Sequence, residues 1–300
     1  MNRHGLKDWW WLVKRTATSW VDDYAPSMGA ALSYYTVFSL VPLLVIVIGV
    51  AGLVFGQEAA RGQIFAQLEG LMGPEAAKAI QELLAEAGKP STGIASTLIG
   101  FAFLFIGATT VFGELQDALD RIWRAPARHG ASGPWSLVRA RLLSFGMILG
   151  IAFLLMVSLV FSAAIAALGK WAGGVFGEWE ATAQAVNFVV GFALTTGVFA
   201  MIYKLMPRVR VSWRDVWLGA ACTAALFAVG RYLIGLYIGK SGIASGFGAA
   251  GSIAVIFVWV YYSAQIFLMG AEFTWVYATT FGSMRHTTQT PDHAPGTPQR

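Results

Sequence analysis

Six stretches of this chain are so poor in charge that each must be buried in protein or in lipid, and together they dictate the fold. Residues 24–57, 90–113, 142–169, 181–203 and 241–271 contain no Asp, Glu, Lys or Arg, and 216–239 contains only Arg231. A membrane-spanning helix takes roughly 20 mainly apolar residues at ~1.5 Å each, so each stretch holds one such helix and none comfortably holds two. The rest of the composition agrees. Charged residues are 12% and hydrophobic residues 56% of the 300, and the mean hydropathy is +0.60. A soluble domain carries about a quarter charged residues. With so few, a soluble fold could not cover its surface with polar groups; a bilayer removes that requirement. The expected class is all-α: a polytopic membrane protein, a bundle of about six transmembrane helices with a short amphipathic helical extracytoplasmic segment.

Lys and Arg set the orientation. Fifteen lie in the N-terminal segment, the second and fourth connections and the C-terminal tail, against five in the first, third and fifth connections. Positive charge is retained on the cytoplasmic side, so an asymmetry that alternates with every window places both termini in the cytoplasm. The same rule accounts for the net charge of +5 without nucleic acid as a partner. Cys222 is the only cysteine, so no intrachain disulfide can form.

The domain reading follows. Residues 1–27 form a cytoplasmic amphipathic N-terminal segment, 28–280 the six-helix domain, and 281–300 a disordered cytoplasmic tail rich in Thr, Pro, Gln and His. In the first, Leu6, Trp9, Trp10, Val13, Ala17 and Trp20 recur at helical spacing, with Lys7, Trp11 and Lys14 on another face. That pattern suits a helix in the membrane interface; the alternative is a soluble helix packed on the bundle. Asp8, Lys14 and Arg15 interrupt any continuous apolar core, so the segment is not a cleavable signal peptide. Between the first two windows, 57–89 reads as two short extracytoplasmic helices. Ile64, Leu68, Leu71 and Met72 stripe the first, and Ile80, Leu83 and Leu84 the second, with Pro74 opening the second after Gly73.

Catalytic motifs are missing. Gly239-Lys240-Ser241 resembles the end of a phosphate-binding loop, but position 234 is Ile where that motif needs Gly. His4, His129, His286 and His293 fall in tails or a loop, and no two carboxylates share a window. The expectation is no enzyme, no cofactor and no metal. Polar groups inside the membrane are the functional candidates, because burying them is expensive. Tyr35, Ser39 and Pro42 lie along the first helix, where proline should kink it near Phe38. Arg231 stands near the outer end of the fifth, as a fixed positive charge or a side chain snorkelling to water. Tyr261, Gln265 and Glu272 line one face of the sixth, with Glu272 near enough to its end to be wet. After the second helix, 114–124 continues as a cytoplasmic helix with Glu114, Asp117, Asp120, Arg121 and Trp123. Asp117–Arg121 and Asp120–Arg124 are paired by spacing, and Leu115, Leu119 and Ile122 or Trp123 form its apolar face.

Four motifs in order resemble the YihY/BrkB membrane proteins, once labelled ribonuclease BN-like. They are Ala31-Leu-Ser-Tyr-Tyr-Thr-Val-Phe-Ser-Leu-Val-Pro42, Asp117-Ala-Leu-Asp-Arg-Ile-Trp123, Pro207-Arg-Val-Arg-Val-Ser-Trp-Arg-Asp215 with Gly219-Ala220, and Tyr261-Tyr-Ser-Ala-Gln-Ile-Phe-Leu-Met-Gly-Ala-Glu272. The resemblance spans roughly residues 20–280. Asp120 replaces the family's usual Asn, and Phe247 a usual Tyr. The resemblance implies an inner-membrane protein whose virulence and envelope-lipid associations point to transport; the ribonuclease label finds no support in these residues. The combined expectation is a transporter or a translocator of lipid or anionic envelope precursors, in contact with membrane lipids and an anionic lipid or small anionic substrate. A non-transporting scaffold or envelope-integrity protein ranks second, and a membrane-tethered ribonuclease last.

Overall fold

The computed structural model describes residues 6–87, 110–126, 179–241 and 250–285. All regular structure in them is helical: α1 (Leu6–Asp22), α2 (Ala25–Phe55), α3 (Gln57–Met72), α4 (Pro74–Ala87), α5 (110–122), α6 (Trp179–Leu205), α7 (Trp213–Ser241) and α8 (Gly251–Thr280). Among the described residues, Ala25–Val45, Phe188–Leu205, Trp213–Lys240 and Gly251–Thr280 are long and apolar enough to cross a membrane. They coincide with four of the six charge-poor windows. The expected helices over 90–109 and 142–169, the glycine-rich stretch at 242–249, Phe247, the four histidines and residues 286–300 lie outside the described residues.

Local chemistry explains the breaks. Tyr24 takes a left-handed conformation (φ 58°) between α1 and α2, and Pro26 sits in the first turn of α2, where its missing N–H is not needed. α2 then runs unbroken through Pro42. Gly56 (φ 84°) and Gly73 (φ 85°) are single-residue hinges between α2, α3 and α4. Each donates its N–H to the preceding helix, to the carbonyls of Gly52 and Glu69. With ψ of 146° and 165°, both glycines lie in an extended positive-φ region that costs an L-residue about 1–3 kcal/mol, so glycine is the natural occupant of both hinges. Pro74 opens α4, as the sequence suggests.

Contacts group the chain into two compact units. One contains 21–118 and 225–268; the other contains 1–20, 119–224 and 269–300. In the first, the α3–α4 hairpin lays the expected apolar stripes onto the spanning helices. Met72, Ala76, Ala79 and Ile80 are buried with Val37 and Leu44 of α2, Ile234 and Ile238 of α7, and Val255, Ile256 and Val260 of α8. Ile64, Leu68, Leu83 and Leu84 pack around them. Two polar contacts fix its position: Arg231 of α7 donates to the Gly70 carbonyl, and Ser252 of α8 donates to the Glu82 carboxylate.

In the second unit, α7 and α8 clasp each other through a reciprocal glycine–threonine pairing. A Cβ on Gly219 would lie 1.8 Å from Thr274 Oγ1, and one on Gly270 would lie 2.0 Å from Thr223 Oγ1. Each threonine thus fills the groove its partner helix leaves by having glycine. Each hydroxyl donates to the glycine carbonyl one turn back in its own helix, Thr223 to Gly219 at 2.8 Å and Thr274 to Gly270 at 2.6 Å. Neither threonine hydroxyl of the clasp is left unsatisfied. Since the Thr223 proton is committed, Tyr203 of α6 must donate to Thr223 Oγ1, at 3.1 Å.

Candidate functional site

The same unit carries a polar framework built from two sequence motifs far apart in the chain. Ala118, Leu119, Ile122 and Trp123 are fully or almost fully buried, so the expected apolar face of α5 holds its end in place. The helix stops at Ile122, and Arg124 turns left-handed (φ 52°). Its guanidinium lies over the Trp275 ring, 5.1 Å from the centroid. Asp120, expected to pair with Arg124 by spacing, has Arg208 as its partner. Asp120 Oδ1 accepts the Arg208 backbone N–H at 2.9 Å, and Oδ2 lies 3.2 Å from Arg208 Nε. The physical reason is the helix end: once the backbone at 124 leaves the α region, the i to i+4 geometry no longer holds. Glu114 is half-buried and Asp117 exposed, on the opposite side from Leu119.

The loop from α6 to α7 is tied again by Lys204, which donates to the Val211 carbonyl and lies over the Trp213 ring at 5.4 Å. Asp215, in the first turn of α7, is buried. It accepts the Ser283 backbone N–H at 2.9 Å and the Ser283 hydroxyl at 2.7 Å. The stretch expected to begin a disordered tail at 281 therefore starts with five residues folded back onto the bundle. Glu272 is fully buried (0% exposed), which removes the reading of it as a wet residue at a helix end.

The other unit holds the remaining candidates. Gln265 of α8 lies against Gly29 of α2, so closely that a Cβ there would meet Nε2 at 2.0 Å. One turn further along α2, Ser33 is buried and donates to the Phe257 carbonyl of α8 at 3.2 Å. Both polar atoms of the Gln265 amide are shielded and have no hydrogen-bond partner among the described residues. Ser39 is buried and closes on its own helix, donating to the Thr36 carbonyl at 3.1 Å. Tyr35 is half-buried, its ring edge-on to Tyr34 with centroids 5.4 Å apart. Tyr261 is exposed. Arg231 is exposed too, and binds a carbonyl among the last of α3, where helix C-termini leave acceptors open. Tyr35, Arg231 and Gln265 thus each have a different neighbour.

Two comparisons with known proteins now bear on this arrangement. The description Virulence factor BrkB fits residues 16–295, nearly all of the described structure. The chain belongs to the BrkB family. Relatives of this BrkB-family chain include a UPF0761 membrane protein of Psychrobacter sp. strain PRwf-1, 24% identical over 93% of this chain and 51% of its own length. A UPF0761 membrane protein of Pseudomonas aeruginosa strain LESB58 is 26% identical over 85% and 60%. One of Alkalilimnicola ehrlichii is 27% identical over 86% and 56%. This BrkB-family chain thus spans about half to three fifths of the length of these relatives. No solved structure matches it.

Sequence reasoning missed Gly29 and Arg208 as neighbours of Gln265 and Asp120, and missed the cluster of Tyr203, Thr223 and Thr274. The glycine–threonine clasp had a visible signal, since Gly219–Thr223 and Gly270–Thr274 repeat one four-residue spacing. For Arg208 there was none, because its partner is 88 residues away.

Proposed function

We propose that this membrane protein translocates lipid, or another anionic envelope precursor, across the bacterial cytoplasmic membrane, with both termini on the cytoplasmic side. The supporting observation is Gln265. Its amide is desolvated inside a spanning helix, pressed on Gly29 and without a hydrogen-bond partner among the described residues. Leaving such an amide in an apolar medium costs roughly 2–7 kcal/mol, depending on the reference state, and polar groups kept inside a membrane at that cost mark substrate pathways by default. Fully buried Glu272, seven residues on, supports the same reading. Arg231 uses one of its five donors on Gly70, which leaves an exposed cation able to draw an anionic headgroup. The chain is read as a non-enzyme, and three of its described acids already hold structure, Asp120 on Arg208, Asp215 on Ser283 and Glu82 on Ser252.

The test is the full chain in proteoliposomes, with fluorescent phosphatidylglycerol and phosphatidylethanolamine read by dithionite bleaching, beside an anion flux assay. Transport by the native chain, lost in Gln265→Leu while its thermal unfolding is unchanged, is the expected result. Native protein that moves neither lipid nor anion refutes the proposal.

A further inference from the structure

Helix α1 has three faces, and only two of them are accounted for by protein and water. At ~100° per residue, Thr16 and Ser19 fall within roughly 40° of Leu12, and all three are buried. Leu12 packs with Phe273 and Val276 of α8, so this face seats the helix on the bundle. On the same wheel, Trp9, Trp20, Val13, Ala17, Trp10 and Val21 occupy the sector from roughly 60° to 180°. Trp20 is half-buried and the other five are exposed, Trp10 at 72%. Lys14, Thr18, Asp22, Arg15 and Asp8 fill the rest, from roughly 200° to 320°, and are exposed as well, with Trp11 among them. Within the polar sector, positions 7 and 14, both lysine, border Trp10 on the wheel, whereas Arg15 falls between Asp22 and Asp8 toward the face that meets the protein.

Chain continuity fixes where this helix can be. Only Asp23 and Tyr24 separate α1 from α2, whose spanning portion begins at Ala25. The three steps from Asp22 to Ala25 reach at most about 11 Å, so the C-terminal end of α1 lies near the level where α2 enters the membrane. A helix that ends there and carries an apolar sector with indoles bordered by lysine has the chemistry of the headgroup region. Tryptophan's amphipathic ring settles there, and a lysine beside it meets lipid phosphate.

We propose that α1 is a lipid-docking strut, whose Trp9–Trp10–Val13–Ala17 sector is embedded in the interface and whose Lys7–Lys14 margin binds anionic phospholipid headgroups. This is independent of translocation: it concerns which lipid surrounds the chain, not what the chain moves. The family match begins at residue 16, so most of the embedded sector lies ahead of it.

The experiment is site-directed spin labelling of the full chain in a Cys222→Ser background, in nanodiscs of phosphatidylethanolamine and phosphatidylglycerol. Single labels go at Trp10→Cys, Val13→Cys, Ala17→Cys, Lys14→Cys and Thr18→Cys. Labels at 10, 13 and 17 should favour collision with oxygen, which concentrates in lipid, and those at 14 and 18 with a water-borne nickel chelate. Ala17→Cys, the smallest change, keeps the test open if Trp10→Cys fails to fold. Lys7→Glu with Lys14→Glu should reduce the oxygen preference at 17 in the anionic nanodiscs and leave it unchanged in phosphatidylcholine. Chelate access at all five positions overturns the proposal, and so does shielding of 10, 13 and 17 from both reagents, which means a protein covers the sector. An unchanged signal after the lysine replacements overturns the anionic-headgroup assignment.

Discussion

Adding one methyl group to α7, in Gly219→Ala, should destabilise the bundle far more than the same change at Gly235 of the same helix. At 219 the new Cβ would stand 1.8 Å from Thr274 Oγ1 and 2.7 Å from both Thr274 Cβ and Cγ2, whereas at 235 it meets nothing within 4 Å. Relaxed carbon contacts lie at about 3.5–4.0 Å, so α7 and α8 must separate by about an ångström or Thr274 must rotate. Rotation breaks its 2.6 Å hydrogen bond to the Gly270 carbonyl. Overpacking of this kind costs about 1–3 kcal/mol, and a lost hydrogen bond about 0.5–1.5 kcal/mol. The gain in helix propensity from Gly to Ala, up to about 1 kcal/mol, offsets part of this and acts equally at 235. The expected net loss for Gly219→Ala is about 1–3 kcal/mol, against none or a slight gain for Gly235→Ala. Thr274→Ala should rescue it in part, since Oγ1 and Cγ2 vanish but Cβ stays at 2.7 Å. Cys222, the only thiol and a partly buried one, supplies the assay: a maleimide dye that fluoresces on reaction reports unfolding of the purified chain on heating. If Gly219→Ala melts with or above Gly235→Ala, the clasp does not hold these helices together.

Other perturbations test the remaining contacts. Asp120→Asn keeps an acceptor for the Arg208 N–H but removes the charge; with both side chains partly exposed, it should cost no more than about 1 kcal/mol. Asp120→Ala should cost more and speed protease cleavage at 206–212, and equal cleavage of both variants would refute the backbone role. Arg231→Ala removes the donor on the Gly70 carbonyl and should raise amide exchange in α3 without changing it in α6; unchanged exchange would show that the contact carries nothing. Gly73→Ala meets no steric neighbour, so its expected loss of about 1–3 kcal/mol in thermal unfolding is purely conformational, and no loss would mean the hinge relaxes.

The spanning helices were legible because lipid imposes one strong rule, and the four charge-poor windows within the described residues coincide with α2, α6, α7 and α8. The α3–α4 hairpin was legible for a local reason, Gly73 before Pro74 between two apolar stripes. Contacts between distant segments were not. Asp120 has a partner four residues away by spacing, yet it binds Arg208 because α5 ends first. Arg231 read as a charge awaiting an anion or snorkelling to water, and its bond is to a carbonyl 161 residues away. In α1 the apolar stripe drew the eye, but the face that packs on the bundle includes Thr16 and Ser19. Small hydroxyl side chains suit close helix packing, and no hydrophobicity pattern reveals that.

The one-residue hinges at Gly56 and Gly73 make the α3–α4 hairpin intolerant of changes in chain length. There is no slack loop to absorb an insertion. One residue added within α3 turns everything after it by ~100° and advances it ~1.5 Å. That would swing Met72 out of its core and carry the Gly70 carbonyl away from Arg231. Related chains that keep this hairpin should differ in length elsewhere, and hold the spacing from Gly56 to Gly73 fixed.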